Sequence, residues 1–282
     1  GVAFITIIIL LINTKFYSPA ESMIRLSEMT NGLPYGLMGI LGAFQFGCWF
    51  YLGIEGTALA AEECRSTGRG LPVGAAAGLL RLISGATITW FVSSGLVPAD
   101  LLGESTYPLF DAAIATGKPI VIQLLFMGTI LSCLASANGC IADSSRAWYS
   151  MSRDTLIPSA FSAIHPKYKT PYRAIIFLMP ISIAFGFTGL LDQVITFSIL
   201  SALLVYLLTA YMMFKFRKMY PIGSIDRGYI APWHPFPALI VIALTAATLF
   251  GMYFGYWTNL LAGFAFYLLA SLWFVLHRSR SL

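Results

Sequence analysis

The residues best suited to chemistry lie in an uncharged apolar segment that ends with a carboxylate between two glycines. Residues 33–54 carry no charge and are long enough to cross a bilayer, and the run leads into Gly53-Ile54-Glu55-Gly56. Glycine lowers helix propensity by roughly 1 kcal/mol relative to alanine, and a charge at the bilayer centre costs at least about 2.5–3.5 kcal/mol. A simple anchoring helix gains nothing from either feature. The pattern therefore predicts a functional break in the helix at 53–56, with a structural kink as the alternative.

A discontinuous helix offers binding groups as well as a bend. It frees backbone carbonyl and N–H groups that replace water around a polar solute, and the dipoles of the two half-helices act on the charges of that solute. Trp49, Phe50 and Tyr51 stand one turn earlier, and an ammonium group above an aromatic face gains on the order of 0.5–2 kcal/mol. The segment predicts a site for a small polar solute; aromatic packing around a kink is the alternative.

Glu55 is the residue of greatest interest in this segment. A carboxyl group at this depth could exchange a proton, act as counter-ion to a cationic solute, or stay protonated and donate a hydrogen bond to a neighbouring helix. The sequence leaves these three roles open. Glu62 and Glu63 follow close to Arg65, where a solvated position at the membrane interface is expected.

A second set of polar residues lies in and just after the apolar segment 118–143. Ser132 and Ser136 are four residues apart and so share one face of a helix. They could line a passage, coordinate an ion, or simply hydrogen-bond another helix. Asp143 and Arg146, three residues apart, are expected to form an ion pair at the inner boundary.

Sequence motifs of known enzymes are missing. There is no P-loop, no HExxH and no GxSxG, and the three histidines have no second metal ligand at a useful spacing. The four cysteines lie in or beside apolar runs and match neither a CxxC pair nor a disulfide framework, so reduced core residues are expected. The sequence predicts no enzyme, no metal site and no cofactor.

Composition places the chain in a lipid bilayer. It is 58% hydrophobic and 10% charged, with a mean hydropathy of +0.79, whereas soluble domains are about 25% charged. Backbone groups in lipid must bond internally, and the apolar runs lack a period of two, so we expect an all-α polytopic membrane protein. The predicted spans of this single domain (1–282) are 1–17, 36–63 (broken at 53–56), 72–97, 118–143, 173–192, 194–216, 238–256 and 258–276.

The positions of the charges predict the orientation. Thirteen of the seventeen Lys and Arg residues fall in four clusters, namely 65–69, 146–173, 215–227 and 278–280. This positive-inside pattern puts those clusters and the C-terminus in the cytoplasm, and it argues against a nucleic-acid partner. We expect a multi-pass protein of the cell (inner or plasma) membrane. Because the chain begins inside an apolar run, we also expect it to be the C-terminal part of a longer protein.

Two ordered motifs resemble one transporter family. The first is Phe50-Tyr51-Leu52-Gly53-Ile54-Glu55-Gly56-Thr57-Ala58-Leu59-Ala60-Ala61-Glu62-Glu63, followed by Leu71-Pro72-Val73-Gly74. The second is Ser136-Ala137-Asn138-Gly139, Ser145-Arg146, Ser150-Met151-Ser152-Arg153-Asp154, Leu156-Ile157-Pro158 and His165-Pro166-Lys167. They resemble the sixth helix, and the eighth helix with its internal loop, of the amino acid-polyamine-organocation permeases. Leu33-Pro34-Tyr35-Gly36 before the first motif is most similar to the ethanolamine-permease branch.

The resemblance implies a fold and a site. The family has an inverted-repeat (LeuT-type) transporter fold of twelve helices, of which this chain would hold the end of helix 5 through helix 12 and would lack most of the first repeat. The family's solute lies between the broken helices 1 and 6 and moves by alternating access. Carried over residue by residue, Trp49 would be a gating or stacking aromatic, and Leu52, Gly53 and Ile54 would contact the solute. The resemblance does not assign a role to Glu55.

The predicted function is a secondary active transporter that imports a small amine or amino acid. An ethanolammonium-like cation driven by the proton motive force is the first expectation, with H⁺ favoured over Na⁺ and Glu55 as the candidate proton site. The alternatives are an amino-acid exchanger of the same superfamily and, from a different class, a non-transporting membrane scaffold subunit. The sequence does not determine the oligomeric state.

Overall fold

The computed structural model describes residues 36–59, 61, 64, 66–225 and 227–278. The predicted span 1–17 and the acidic pair Glu62 and Glu63 lie outside these residues. The described part consists of helices and connecting segments without a strand, which confirms the all-α prediction. Its α-helices are α1 (Gly36–Tyr51), α2 (Gly56–Leu59), α3 (Thr67–Leu96), α4 (Ala99–Glu104), α5 (Pro108–Ala115), α6 (Pro119–Arg153), α7 (Tyr172–Gly186), α8 (Leu191–Met219) and α9 (Phe236–Arg278), and a 3₁₀ helix (Ser159–Ser162) follows α6.

Five segments of the described chain are long and apolar enough to cross a membrane, as expected of a polytopic protein. They are Gly36–Leu59, Gly68–Leu96, Pro119–Arg153, Gln193–Met219 and Phe236–Leu276. Helix α7, in contrast, has only 15 residues and ends at Gly186, inside the predicted span 173–192. Gly189 follows with a φ of +67°, a conformation that ends regular helix.

Helix α6 continues well past residue 143, where its apolar segment was predicted to end. It begins with Pro119 in the first turn and ends at Arg153, whose charge complements the C-terminal end of the helix dipole. The part of α6 from residue 143 to residue 153, its polar extension, contains no glycine or proline, and the next proline is Pro158. Asp143 and Arg146 are 3.8 Å apart within it, so the predicted i, i+3 ion pair is confirmed.

Helix α9 holds the two last predicted spans in one run of 43 residues. A straight helix of that length would measure about 65 Å, twice the hydrocarbon core of a bilayer. Tyr256 has non-helical backbone angles (φ −140°, ψ 35°), so the run is kinked there. The kink falls at the predicted division between 238–256 and 258–276.

The described residues form two compact units, each with its own core. One contains residues 73–183 and the described part of 53–64. In it α5 packs on α6, α4 packs on α5, and α2 packs on α6. The segment between the predicted spans 72–97 and 118–143 is therefore largely helical, and it contributes to a core made of Val92, Ala113, Val121 and Leu125.

The other unit contains residues 36–52, 184–278 and the described part of 65–72. Helices α8 and α9 pack on each other, and α1 packs on both. Tyr267 of α9 donates a hydrogen bond to the hydroxyl of Ser201 on α8 at 2.6 Å. The core of this unit is Ile199, Leu200, Leu203, Met252 and Leu260.

Candidate functional site

The candidate site is the interruption between α1 and α2. Helix α1 ends at Tyr51, residues 52–55 form a turn, and α2 starts at Gly56. Gly53 has a φ of +98°, a conformation that side chains with a Cβ rarely adopt. A Cβ built on Gly53 would meet no atom within 4 Å. Glycine is therefore required here by backbone geometry rather than by lack of space.

Short-range hydrogen bonds close this turn. The Gly53 carbonyl accepts the Gly56 N–H at 3.1 Å. The Ile54 carbonyl accepts both the Thr57 N–H at 3.2 Å and the Thr57 hydroxyl at 2.8 Å. The carbonyls of two residues predicted to contact a solute are thus already engaged by the first turn of α2.

The open acceptors lie one step earlier in the chain. The carbonyl oxygens of Phe50, Tyr51 and Leu52 accept no hydrogen bond from any residue that the structure describes. They are the end of α1, where a helix leaves its last carbonyls without an internal partner. Three consecutive acceptors carry the partial negative charge of the helix C-terminus. This arrangement suits a cation or a hydrogen-bond donor.

The side chains before the turn divide into exposed and packed ones. Trp49 and Phe50 are 43% and 58% exposed, so their ring faces are available to a solute. The Leu52 side chain packs against the core that contains Leu200 and Met252. The open backbone carbonyl of Leu52 is the group that suits a polar solute.

Ile54 and Glu55 differ in what their side chains do. The tip of the Ile54 side chain would lie 3.0 Å from a Cβ built on Gly78, so Ile54 packs closely on Gly78 of α3. The Glu55 carboxylate is exposed and accepts the Gly53 N–H at 3.0 Å. Glu55 thus caps the turn that contains it, a role that the sequence alone did not suggest.

A second carboxylate, predicted from the sequence only as the partner of Arg146, lies next to the turn. Asp143 of α6 lies against Gly56, and a Cβ on Gly56 would come within 2.9 Å of the Asp143 carboxyl carbon. The missing side chain at Gly56 is what lets Asp143 approach the start of α2. The available signal was an acidic residue at the end of an apolar segment together with the second glycine of the Gly-Ile-Glu-Gly motif.

Ser132 and Ser136 lie on α6. Both are exposed, and their hydroxyls have no hydrogen-bond partner among the described residues. Their roles as passage lining or ion ligands remain predictions. Within the described residues no cluster of three or more His, Cys, Asp or Glu could hold a metal ion.

Comparison with known proteins finds similarity along nearly the whole chain. A family model described as "Amino acid permease" matches residues 1–279. An uncharacterized transporter of Rhizobium meliloti (strain 1021) is 49% identical over 278 residues, which are 99% of this chain and 60% of that protein. The branched-chain amino acid permease BcaP of Bacillus subtilis (strain 168) is 25% identical over 211 residues, 74% of this chain and 45% of that protein.

A plant protein matches a shorter region. The chloroplastic cationic amino acid transporter 9 of Arabidopsis thaliana is 32% identical over 133 residues, which are 47% of this chain and 23% of that protein. The chain thus spans 60% of the first relative and less than half of the other two.

Proposed function

This chain belongs to the amino acid permease family, and from that premise we propose that it is part of a secondary active transporter that imports a small amine or amino acid. Family membership and the names of the relatives indicate a transporter rather than an enzyme. Two of the relatives are named for branched-chain and cationic amino acids, which supports a substrate with an ammonium group.

The open carbonyls before the turn are the observation that carries this proposal. No described residue donates a hydrogen bond to the carbonyls of Phe50, Tyr51 and Leu52, and a carbonyl left without a donor in lipid costs several kcal/mol. Irregular backbone at membrane depth persists where it lines a cavity, and an ammonium group offers three donors to such acceptors. The exposed faces of Trp49 and Phe50 stabilise the same charge.

Within this class we favour an ethanolammonium-like cation. A free amino acid also brings a carboxylate, which needs backbone N–H donors. The N–H of Gly53 is already bonded to the Glu55 carboxylate. Among the described residues, the carbonyls of Phe50, Tyr51 and Leu52 and the N–H of Ile54 have no partner at the turn, and this excess of acceptors favours an amine without a carboxylate. The second candidate is an amino-acid exchanger, and the names of the relatives support it.

Glu55 is our candidate for proton coupling, with H⁺ favoured over Na⁺. An ionised carboxylate is the stronger acceptor for the Gly53 N–H, so protonation would loosen the turn that positions the open carbonyls. Proton binding and the shape of the site would thus be linked. As the rest of the hypothesis, we propose alternating access in an inverted-repeat fold, with the C-terminus in the cytoplasm. The exposed hydroxyls of Ser132 and Ser136 would line the passage.

The test uses the protein with its upstream coding region restored and reconstituted in lipid vesicles. Uptake of labelled ethanolamine is measured with and without a protonophore and with a panel of amino acids as competitors. Saturable uptake that the protonophore abolishes and amino acids do not inhibit supports the full proposal. Amino-acid uptake or exchange without ethanolamine uptake would keep the transporter class and replace the substrate.

A non-transporting scaffold subunit is the rival from another class. A scaffold has no use for the left-handed backbone at Gly53 and should assemble and function normally with Gly53→Leu. A transporter should lose uptake while still reaching the membrane. No uptake of either substrate class by the parent protein would favour the scaffold.

A further inference from the structure

A cavity of about 390 Å³ with a mixed polar and apolar lining lies beside the C-terminal end of α6. Ala58 and Leu59 of α2 form one wall, and the polar extension of α6 forms another. The third wall is the segment that contains Lys169. The volume falls in the range of small-molecule sites, and the proposed solute site does not use this cavity.

Helix α6 presents a regular row of donors to the cavity. Arg146, Tyr149, Ser150 and Arg153 line it, and their spacing of three, four and seven residues places them on one helix face. The Arg153 guanidinium lies 5.8 Å from the centre of the Tyr149 ring, which orients this cation along the wall. The row combines two guanidinium groups with two hydroxyls.

The segment opposite α6 is held in a defined conformation by His165. Its ring nitrogen Nδ1 accepts the N–H groups of Lys167 and Tyr168, each at 3.2 Å. Its backbone N–H donates to the Thr170 carbonyl at 2.8 Å, and its carbonyl accepts the Lys169 N–H at 2.9 Å. Lys169 has a φ of +55° within this closed turn. The turn thus fixes where Lys169 leaves the backbone, at the wall of the cavity.

Three cations line the cavity, and the described carboxylates close to two of them are Asp143 and Asp154. Arg146 is 3.8 Å from Asp143, and Arg153 is 4.0 Å from Asp154. Both pairs are partly exposed, and such pairs contribute little to stability. Both arginines also have further interactions, so a bound anion would compete with these partners. Lys169 adds a third cation to the lining.

We propose that this cavity binds a phosphate group. Guanidinium groups match the geometry of phosphate oxygens, an ammonium group supplies a further charge, and hydroxyls donate to the remaining oxygens. The phosphate could belong to an anionic phospholipid headgroup or to a soluble phosphate compound. The surroundings favour the headgroup: Ile164 in the lining is 46% exposed, and Leu156 and Tyr168 nearby in sequence are 43% and 66% exposed. Basic residues beside exposed apolar and aromatic side chains are typical of segments at an anionic membrane surface.

The experiment measures thermal unfolding of the full-length protein in detergent. The additives are dioleoylphosphatidylglycerol, dioleoylphosphatidylcholine and inorganic phosphate, each titrated separately, because a ligand that binds the native state raises the unfolding temperature. Lys169→Gln and Arg153→Gln are compared with the control Lys167→Gln, which removes a cation of the same turn that does not line the cavity. Unfolding without additive shows whether each variant folds.

Phosphatidylglycerol should stabilise the protein more than phosphatidylcholine. Lys169→Gln should raise the phosphatidylglycerol concentration for half-maximal stabilisation about fivefold, the effect of removing one cation at such a surface. Lys167→Gln should leave that concentration within twofold of the parent value. Stabilisation by the lipid alone would identify a headgroup, and equal stabilisation by inorganic phosphate would identify a soluble compound. Equal responses to both lipids with no response to phosphate would overturn the proposal. The proposal would also be overturned if Lys169→Gln and Lys167→Gln weakened phosphatidylglycerol binding equally.

Discussion

Replacing Gly53 with alanine isolates the contribution of the helix break. The Cβ of alanine would meet no atom of the described residues within 4 Å, so this substitution acts through the backbone. Placing a residue with a Cβ at a φ of +98° costs roughly 1–3 kcal/mol. Alanine also favours a continuous helix over a broken one by about 1 kcal/mol. Together these terms shift the balance against the break by about 2–4 kcal/mol, a factor of roughly 30 to 1,000.

The assay is the initial rate of uptake by vesicles, normalised to the amount of reconstituted protein. We expect Gly53→Ala to lower the rate at least tenfold. Gly47→Ala is the matched control: Gly47 lies inside α1, has no positive φ and has no atom within 4 Å of a built Cβ. Alanine there should leave uptake unchanged, because helix propensity is its main effect. Uptake by Gly53→Ala within twofold of the parent rate would refute the argument that the break is required.

Three further predictions concern groups near the break and in the core around α8 and α9. Glu55→Gln keeps an oxygen that can accept the Gly53 N–H, but the amide cannot ionise. Uptake should therefore persist and no longer depend on pH. An unchanged pH profile of uptake counts against a proton relay through Glu55. Gly56→Ala should crowd Asp143 and lower the free energy of unfolding by about 1–3 kcal/mol. Adding Asp143→Ala to the same chain should restore that stability in thermal unfolding. Failure of this rescue contradicts the contact between Gly56 and Asp143. Tyr267→Phe removes the hydrogen bond to Ser201 and should cost about 0.6 kcal/mol in unfolding experiments without changing uptake, whereas no loss of stability would argue against that bond.

The sequence was informative about the break because its signal is local. A glycine pair around a carboxylate in an apolar run is visible without knowledge of any neighbour. The sequence did not predict which carbonyls stay open, because that depends on the hydrogen bonds within the turn. Thr57 occupies the Ile54 carbonyl with two donors. The open acceptors are therefore shifted to Phe50, Tyr51 and Leu52.

Contacts between distant parts of the chain were beyond sequence reasoning. Gly56 and Asp143 are 87 positions apart, and only the packing of α2 on α6 brings them together. Hydropathy falls at residue 143 and so gave the end of the apolar segment, whereas helix α6 continues to Arg153. His165 had the sequence context of a solvated loop residue, yet its ring organises the turn that carries Lys169. In each case the structure depends on an interaction that composition and local sequence do not show.

The central claim is that the carbonyls at the end of α1 bind the ammonium group of a solute. An experimental structure of the full-length permease with bound ethanolamine or a bound amino acid tests it most directly. The account predicts the ammonium nitrogen at hydrogen-bond distance, about 2.7–3.2 Å, from at least two of the carbonyl oxygens of Phe50, Tyr51 and Leu52. An ammonium group bound elsewhere, with these three carbonyls paired to another part of the protein, would contradict it.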